Sequence, residues 1–477
     1  IKWKMGHFFK TVTKFFYGIT RTRMETLIAF SVLVLFVSGY EEFRGDQVVR
    51  VKAKSLAHLT LLKKYIETEK NVDVWGEGEE YEFHLPSKQI SSFEKWLTEN
   101  GISYEVLVFD LEDLLNEEEV SNTKNSSTFD YNKYNDWSEI KEELLHLSRK
   151  HSSKAFLFNV GKTYEGEDQI GIKVTNGDGR SKPVVWIDGG IHAREWISPA
   201  TVMYFMNKLL TNKADDRVSR VLAKYDFYLM PVFNIDGYKY TFTNRSTRLW
   251  RKTRTKYKES KPPYKTCYGA DPNRNWDSHW ETGINASDNC TTDYYRGPFA
   301  GSEKCVANVQ TFLRQLKNLT SYWNIHAFSQ LVLTTWSWTS ALSKDYPEIK
   351  RVGDVFAEAV SKRYGTHYKV GPPSRFLYPA SGCSIDFAHD ELKVVYSYGL
   401  ELRDKGHYGF VLPANQIQPS GEETSDALLA AVLAMKPEYQ MSSSSRATRI
   451  RFLNDDNPAV LFILVFLSIL FIYRYCS

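Results

Sequence analysis

The sequence predicts two folded units. The larger is an α/β domain on a mixed, mainly parallel sheet with helices on both faces; a small α+β domain precedes it. Three observations carry this. Between residues 129 and 436, apolar strand-like runs without clean alternation ("KPVVWIDGG", "YDFYLMPVFN", "LTSYWNIHAF", "LKVVYSYGLEL") alternate with helical stretches, and strands apolar on both faces belong to sheets covered on both sides. Residues 47–120 run strand, helix, two strands, helix, strand, the order of a ferredoxin-like open sandwich. The 477 residues are too many for one typical domain.

In chain order, "VVRVKA" is strand-like and "LAHLTLLKKYIET" has helical apolar spacing. "VDVWG" and "YEFHLP" are short strands, "ISSFEKWLTENG" is an amphipathic helix stopped by Gly101, and "YEVLVFD" is the last strand. "LEDLLNEEEV" continues as an acidic helix. "SNTKNSST" (121–128) is a polar linker whose only basic residue, Lys124, is a candidate proteolytic site. In the large unit, "EWISPATVMYFMNKLL" reads as a helix following a strand. The Gly-, Asn- and Pro-containing stretches between residues 236 and 300 read as loops, which on such scaffolds carry function.

The termini point to the secretory pathway. "METLIAFSVLVLFVSG" (24–39) follows Arg21 and Arg23 and has the apolar run and small residues of a signal peptide. A signal-anchor helix is the alternative. Residues 1–23, basic and aromatic and starting at Ile1, are read as a gene-model artefact, with an extended signal n-region as the alternative. Residues 437–458 hold four serines (Ser442 to Ser445) and a polar spacer, and 459–477 hold a 15-residue run that is apolar apart from Ser468, the pattern of a GPI-attachment signal. A membrane span is the rival, favoured less because about 20 residues are needed to cross. The expected location is the extracellular face of the plasma membrane. Sequons at Asn125, Asn244, Asn285, Asn289 and Asn318 agree with a glycosylated protein. Without Cys476 in the tail, Cys267, Cys290, Cys305 and Cys383 remain, and three pairings are open. A net charge of only +4 gives no case for a nucleic-acid partner.

The chemistry starts at "GGIHAREWISP" (189–199). His192 and Glu195 lie three residues apart on a strand-to-helix turn, where α/β sheets bind ligands. Catalytic zinc takes three protein ligands and leaves one position open. His326, ending "SYWNIH", is the candidate third ligand; a buried core histidine is the bland alternative. Glu401, ending an apolar run, is a carboxylate where few are tolerated without a partner. It suits a general base, with an ion pair to Arg403 as the alternative. "RLWRKTR" supplies Arg248, Arg251 and Arg254, and "DPNRNW" supplies Asn273 and Arg274. Arginine suits carboxylate recognition and oxyanion stabilisation; a nucleic-acid patch is the rival reading.

"HAREW", "RLWRKTR", "NRNW", "YPASG", "ELRD" and "YGFVLP" occur in that order. The chain from 47 to 436 thereby resembles the zinc metallocarboxypeptidases of the pancreatic A/B type, made as procarboxypeptidases. The resemblance implies a carboxypeptidase-like fold behind an activation prodomain (47–120), with a catalytic domain at 129–436 binding one Zn2+ through His192, Glu195 and His326. Glu401 matches the general base and acid, and Arg251 the residue that polarises the scissile carbonyl. Asn273 and Arg274 match the clamp on the substrate's terminal carboxylate. Tyr378 matches a mobile tyrosine that closes over the terminal residue, while Arg194 and Phe410 match accessory subsite residues. Asp271 matches the carboxylate that orients the first histidine ligand, and Cys267 and Cys290 match the family's disulfide. The implied substrates are peptide and protein C-termini. An activating protease is expected to cut near Lys124, and the enzyme to act as a monomer.

Ile385 matches the position at the pocket base. An apolar floor there favours aromatic or aliphatic terminal residues, whose burial gains free energy without stranding a charge. Departures from the family pattern are Cys383, Ser337, Gly399, Ala327 and Phe328. The tail resembles that of carboxypeptidase O, which carries a basic pocket residue, so an enzyme preferring acidic C-terminal residues is the alternative. A non-catalytic binding protein on the same scaffold is the other.

Overall fold

The structure is a computed structural model that describes residues 42–436 and 439, except 70–71, 77–79, 124–127, 213 and 258–266. The signal-like segment, Lys124, the serine run and the hydrophobic tail lie outside the described residues. No helix among the described residues is long and apolar enough to cross a membrane.

The first unit contains β1 (Gln47–Lys52), α1 (Leu56–Thr68), β2 (Asp73–Gly76), β3 (Glu80–Leu85), α2 (Ser87–Glu99) and β4 (Ser103–Val108). Its sheet has the order β2-β3-β1-β4, and every neighbouring pair is antiparallel. Val49, Val51, Leu62, Phe83, Phe93 and Leu97 close its core. The helix α2 begins three residues before the predicted "ISSFEKWLTENG": the Ser87 amide donates to Asp46 Oδ1 at 2.8 Å, which fixes the start directly after Pro86. The acidic helix follows as α3 (Leu111–Ser121), capped by Asp110.

The second unit opens with α4 (Trp137–Lys150), whose Asp136 and Glu139 form a reciprocal capping box. Then come β5 (Ala155–Lys162), β6 (Asp168–Val174), β7 (Val184–Gly189), α5 (Ile197–Thr211), α6 (Asp216–Lys224), β8 (Asp226–Met230) and α7 (Ile235–Thr241). A small ribbon, β9 (Lys256–Tyr257) with β10 (Cys267–Tyr268), lies in the long loop region. The chain continues with α8 (Lys304–Gln315), β11 (Leu319–His326), β12 (Leu331–Thr334), α9 (Tyr346–Tyr364), β13 (Lys369–Gly371), α10 (Pro373–Phe376), α11 (Ser384–Asp390), β14 (Tyr396–Glu401) and α12 (Ile417–Ala434).

The central sheet has eight strands in the order β13-β12-β14-β11-β7-β8-β6-β5. It is mixed as expected: β14, β11, β7 and β8 are mutually parallel, while β12 runs antiparallel to β14, and β6 to β8 and β5. Two cores explain the uninterrupted apolar runs. On one face Val185, Ile187, Trp323, Ile325, Tyr398 and Leu400 pack with α5, α9 and α12. On the other, Trp186 and Tyr322 pack with α8 and α11. Because side chains alternate along a strand, the second face also receives Asp188, Asn324, His326, Gly399 and Glu401.

Inside the first unit His84 joins two carboxylates. Its Nε2 lies 3.0 Å from Asp46 Oδ2 and its Nδ1 3.1 Å from Asp73 Oδ2, and it is only 7 % exposed. Burial favours the neutral ring, but the two carboxylates outweigh it and push the imidazole from 6.5 up to about 9. A value raised on folding gives stability that is complete below about 6.5 and lost as pH rises through about 9. Amide protection in β1 and β3 of the intact chain, corrected for intrinsic exchange, is expected to fall over that window by an amount equivalent to about 3 kcal/mol at most. His84→Leu is expected to remove this slope, and an unchanged slope would contradict the assignment.

Candidate active site

The carboxyl ends of β7, β11 and β14 lie side by side. Parallel register places His326 directly opposite Glu401, each the last residue of its strand. After β7 the chain turns through Gly190 at φ +65°, where a Cβ would meet Pro199 at 2.9 Å. Glycine therefore lets the turn fold back against α5. His192 and Glu195 sit on this turn; α5 itself starts at Ile197, two residues later than the sequence pattern suggests.

His192, Glu195 and His326 are all buried, and one donor atom from each lies within 4.8 Å of the others. His192 Nδ1 is 2.6 Å from Glu195 Oε1, His326 Nδ1 is 3.2 Å from Glu195 Oε2, and the two Nδ1 atoms are 3.2 Å apart. The far nitrogens face acceptors: His192 Nε2 lies 3.3 Å from Asp271 Oδ1, and His326 Nε2 bonds Asn324 Oδ1. Acceptors in these places favour a proton on Nε2 of each ring, with the Nδ1 lone pair turned inward. Two imidazole lone pairs and a carboxylate aimed at one point repel each other unless a cation lies between them. The donor set and burial fit zinc.

Around this centre lie buried cations. Arg251 donates from Nε (3.2 Å) and Nη2 (2.8 Å) to Asp271 Oδ2. Arg274 donates to the Asn285 carbonyl at 3.1 Å, the Asn273 carbonyl at 3.0 Å and the Tyr378 hydroxyl at 3.1 Å. Asn273 is held by its amide on Asp271 Oδ1 (2.8 Å) and by the Ser384 amide on its Oδ1 (2.9 Å). Burial alone would raise the Asp271 carboxyl, but the Arg251 and Arg274 guanidiniums and His192 hold it well below the carboxylate range. Burial, then the neighbouring Glu195 charge, push Glu401 well above its ordinary value, with Arg251 opposing. A divalent cation in the site acts in the same direction as Arg251. The alternative pairing of Glu401 with Arg403 is not made: Arg403 Nη2 pairs with Glu423 at 2.5 Å.

Glu401, Asn273, Arg274, Tyr378, Ile385 and Phe410 line one cleft with the three metal-binding side chains. Ser337, Cys383, Gly399, Ala327 and Phe328, the departures from the family pattern, line it too. Cys267 and Cys290 form the disulfide, whereas Cys305 and Cys383 are free and buried. Burial pushes the Cys383 thiol up to about 12, against the nearby Arg274. Of the basic "RLWRKTR" stretch, only Arg251 reaches the cleft. Arg248 is bound by both oxygens of Glu118 at 2.6 and 2.7 Å, and Arg254 stacks 3.6 Å from the Tyr240 ring centre. The nucleic-acid reading of that stretch thus loses two of its cations to internal contacts.

Sequence reasoning expects an activation prodomain over the cleft but does not identify the residues that close it. Arg194 donates to Asp73 Oδ1 at 2.9 Å and to the Val74 carbonyl at 3.2 Å, while its guanidinium lies 4.1 Å from the Phe410 ring centre. Trp75 packs on Phe410 and Phe328, with ring centres 5.0 and 6.4 Å away. A second seam joins α3 to the large unit through Glu118–Arg248 and the Arg245 contacts with Glu112 and Glu119. The only sequence signal was the acidic run "LEDLLNEEEV" facing a basic one.

Models of known families match both units. Residues 140–427 match the zinc carboxypeptidase family and residues 49–118 the carboxypeptidase activation peptide. Carboxypeptidase A4 of Mus musculus is 34% identical over 413 residues, covering 84% of this chain and 96% of that protein. Carboxypeptidase O of Homo sapiens is 38% identical over 320 residues, covering 67% and 83%. The crystal structure of carboxypeptidase A from Helicoverpa armigera superposes with a TM-score of 0.74 at 25% identity, covering 82% of this chain and 98% of that one. The chain belongs to the zinc carboxypeptidases: it is a metallocarboxypeptidase zymogen, a zinc peptide hydrolase acting on peptide C-termini, with an activation peptide ahead of its catalytic domain.

Proposed function

We propose that this zymogen, once cut in its linker, removes apolar C-terminal residues from peptides. The observation that carries the preference is the lining of the cleft beyond Arg274: Leu333, Leu377, Ala380, Ile385 and Gly399. Asp386, the residue after Ile385, is turned to the Ser337 and Trp338 amides at 2.9 and 3.1 Å and is fully buried. Burying an aliphatic or aromatic side chain there gains about 1.5–3 kcal/mol. A charged terminal side chain would be desolvated without a partner.

The roles follow from charge and reach. Arg274 and Asn273 bind the terminal carboxylate, with the Tyr378 hydroxyl, already on Arg274 at 3.1 Å, closing behind it. Arg251, held rigid by Asp271, stabilises the negative charge that develops on the scissile carbonyl oxygen. Glu401 takes a proton from the attacking water and returns it to the leaving amine. Zinc held by His192, Glu195 and His326 supplies Lewis acidity when bound. Arg194 and Phe410, uncovered when the activation domain leaves, contact residues upstream of the cleaved bond. Glu401→Gln is expected to lower kcat by at least about 1,000-fold while the protein retains its zinc, as metal analysis of the purified variant would show. Turnover near the parental rate would end this assignment.

In the uncut chain, Asp73, Val74 and Trp75 occupy the approach to Arg194 and Phe410. We therefore divide the chain into an activation domain (47–120), a linker (121–128) and a catalytic domain (129–436). Asp73→Ala with Trp75→Ala is expected to raise the activity of the uncut chain several-fold toward a blocked dipeptide, without changing the activity of the enzyme cut free. Trypsin that neither cuts near Lys124 nor raises activity would refute the activation scheme.

The signal-like segment 24–39 and the tail 459–477 support secretion followed by attachment at the extracellular face of the membrane, a GPI anchor before a span, with a monomeric catalytic unit. A panel of peptides differing only in the last residue should favour Phe, Leu or Ile over Lys and Glu by about tenfold or more, equivalent to about 1.4 kcal/mol. Ile385→Asp is expected to move that preference to Lys and Arg, whereas a parental preference for acidic ends would overturn the pocket argument.

A further inference from the structure

The two histidines of the metal site are backed by unlike partners. His192 Nε2 faces a carboxylate directly, Asp271 Oδ1 at 3.3 Å. Behind His326 stands an amide. Its Nε2 bonds Asn324 Oδ1, and Asn324 Nδ2 donates to Asp188 Oδ1. Asn324 and Asp188 are paired in register across β11 and β7, and neither has any exposed surface. Asp188 Oδ2 accepts from Trp186 Nε1 at 2.6 Å, and Ser384 Oγ reaches Asn324 Oδ1 at 3.1 Å. None of these residues has a part in the reaction described above.

We propose that Asp188 and Asn324 are positioning residues that act through His326, setting its tautomer and ring orientation and so the affinity of the site for zinc. An ionised carboxylate only accepts, so Asp188 must face the Asn324 NH2 group. That fixes the amide with its oxygen toward His326. The oxygen in turn requires a proton on Nε2, which leaves Nδ1 bare toward Glu195 and His192. Asn273 Nδ2 lies 3.4 Å from the same Nε2 and would be its donor in the opposite tautomer. Asn324 Oδ1 would then confront a lone pair, and Nδ1 would point a proton into the metal site. Outer partners of this kind orient ligands and raise their basicity. The arrangement makes the two rings unequal, since a direct carboxylate polarises His192 more than an amide polarises His326.

The inference rests on the reading of His192, Glu195 and His326 as zinc ligands, and the test separates the two. Imidazole 15N shifts of the intact chain, metal-free and zinc-loaded, are expected to show Nε2 protonated on His326 in both; a proton on Nδ1 in the metal-free protein would overturn the relay. Zinc affinity is read by competition with a chromophoric chelator. Asn324→Leu is expected to bind zinc about 10–100-fold more weakly. Exchanging the two groups, Asp188→Asn with Asn324→Asp, restores an acceptor for Nε2 and a donor behind it. That pair is expected to return affinity to within about threefold of the parent. Parental affinity in folded Asn324→Leu, or an exchange variant that binds no better than Asn324→Leu, overturns the proposal. Should Asn324→Leu fail to fold, the parent's nitrogen shifts and the exchange variant's affinity decide it. A parent chain that binds no zinc would instead remove the ligand reading itself, and the relay with it.

Discussion

Asp271 has no exposed surface, yet its carboxylate is held well below the ordinary range by Arg251, Arg274 and His192. A charge buried this deeply persists only when it is paired and hydrogen-bonded. The pairing organises the cleft. One oxygen faces His192 Nε2 and takes the Asn273 amide, while the other binds Arg251 at 2.8 Å. The metal ligand, the proposed carboxylate clamp and the proposed oxyanion donor are thus positioned by a single group. Asp271 itself comes from the loop that the Cys267–Cys290 disulfide closes, so the covalent link steadies the hub rather than the sheet.

Much of this was legible in the sequence because it follows from periodicity. The β-α-β-β-α-β order appeared in the alternation of the first unit. The parallel strands β7, β11 and β14 appeared as apolar runs because both faces are covered. His326 and Glu401 stood out as polar residues ending such runs. What escaped was pairing between distant residues. The outer strands β5, β6, β12 and β13 give weak patterns, since their partners rather than their composition make them strands. Asn324 and Asp188 are not singled out by the sequence pattern; their meaning comes from the β7–β11 register, which no local pattern reveals. Asp73 and Trp75 likewise gain a role only when the activation domain is seated.

The seat between the two units combines contacts of different character. At the cleft it is narrow and specific, with Asp73 on Arg194 and Trp75 against Phe410 and Phe328. Along α3 it is a row of ion pairs, of which only Glu118–Arg248 is fully buried. Removing one partner of a buried pair leaves an uncompensated charge, far costlier than losing an exposed pair. Arg248 also donates to the Arg194 and Phe410 carbonyls at 2.9 and 2.8 Å and stacks 3.6 Å from the Trp196 ring centre. Those bonds lie within the catalytic domain and do not depend on Glu118.

On the proposed function, Arg194 serves two tenants in succession. The guanidinium that holds the Asp73 carboxylate in the uncut chain is the one read as a substrate contact after activation. Any replacement that loosened the first grip would weaken the second, so tightness of latency and efficiency of the active enzyme cannot drift apart at this residue. At this contact, variation in how firmly the precursor is silenced therefore falls on the departing side, on Asp73, Trp75 and their neighbours. The activation domain can diverge in sequence there without altering the finished enzyme, which never contains it.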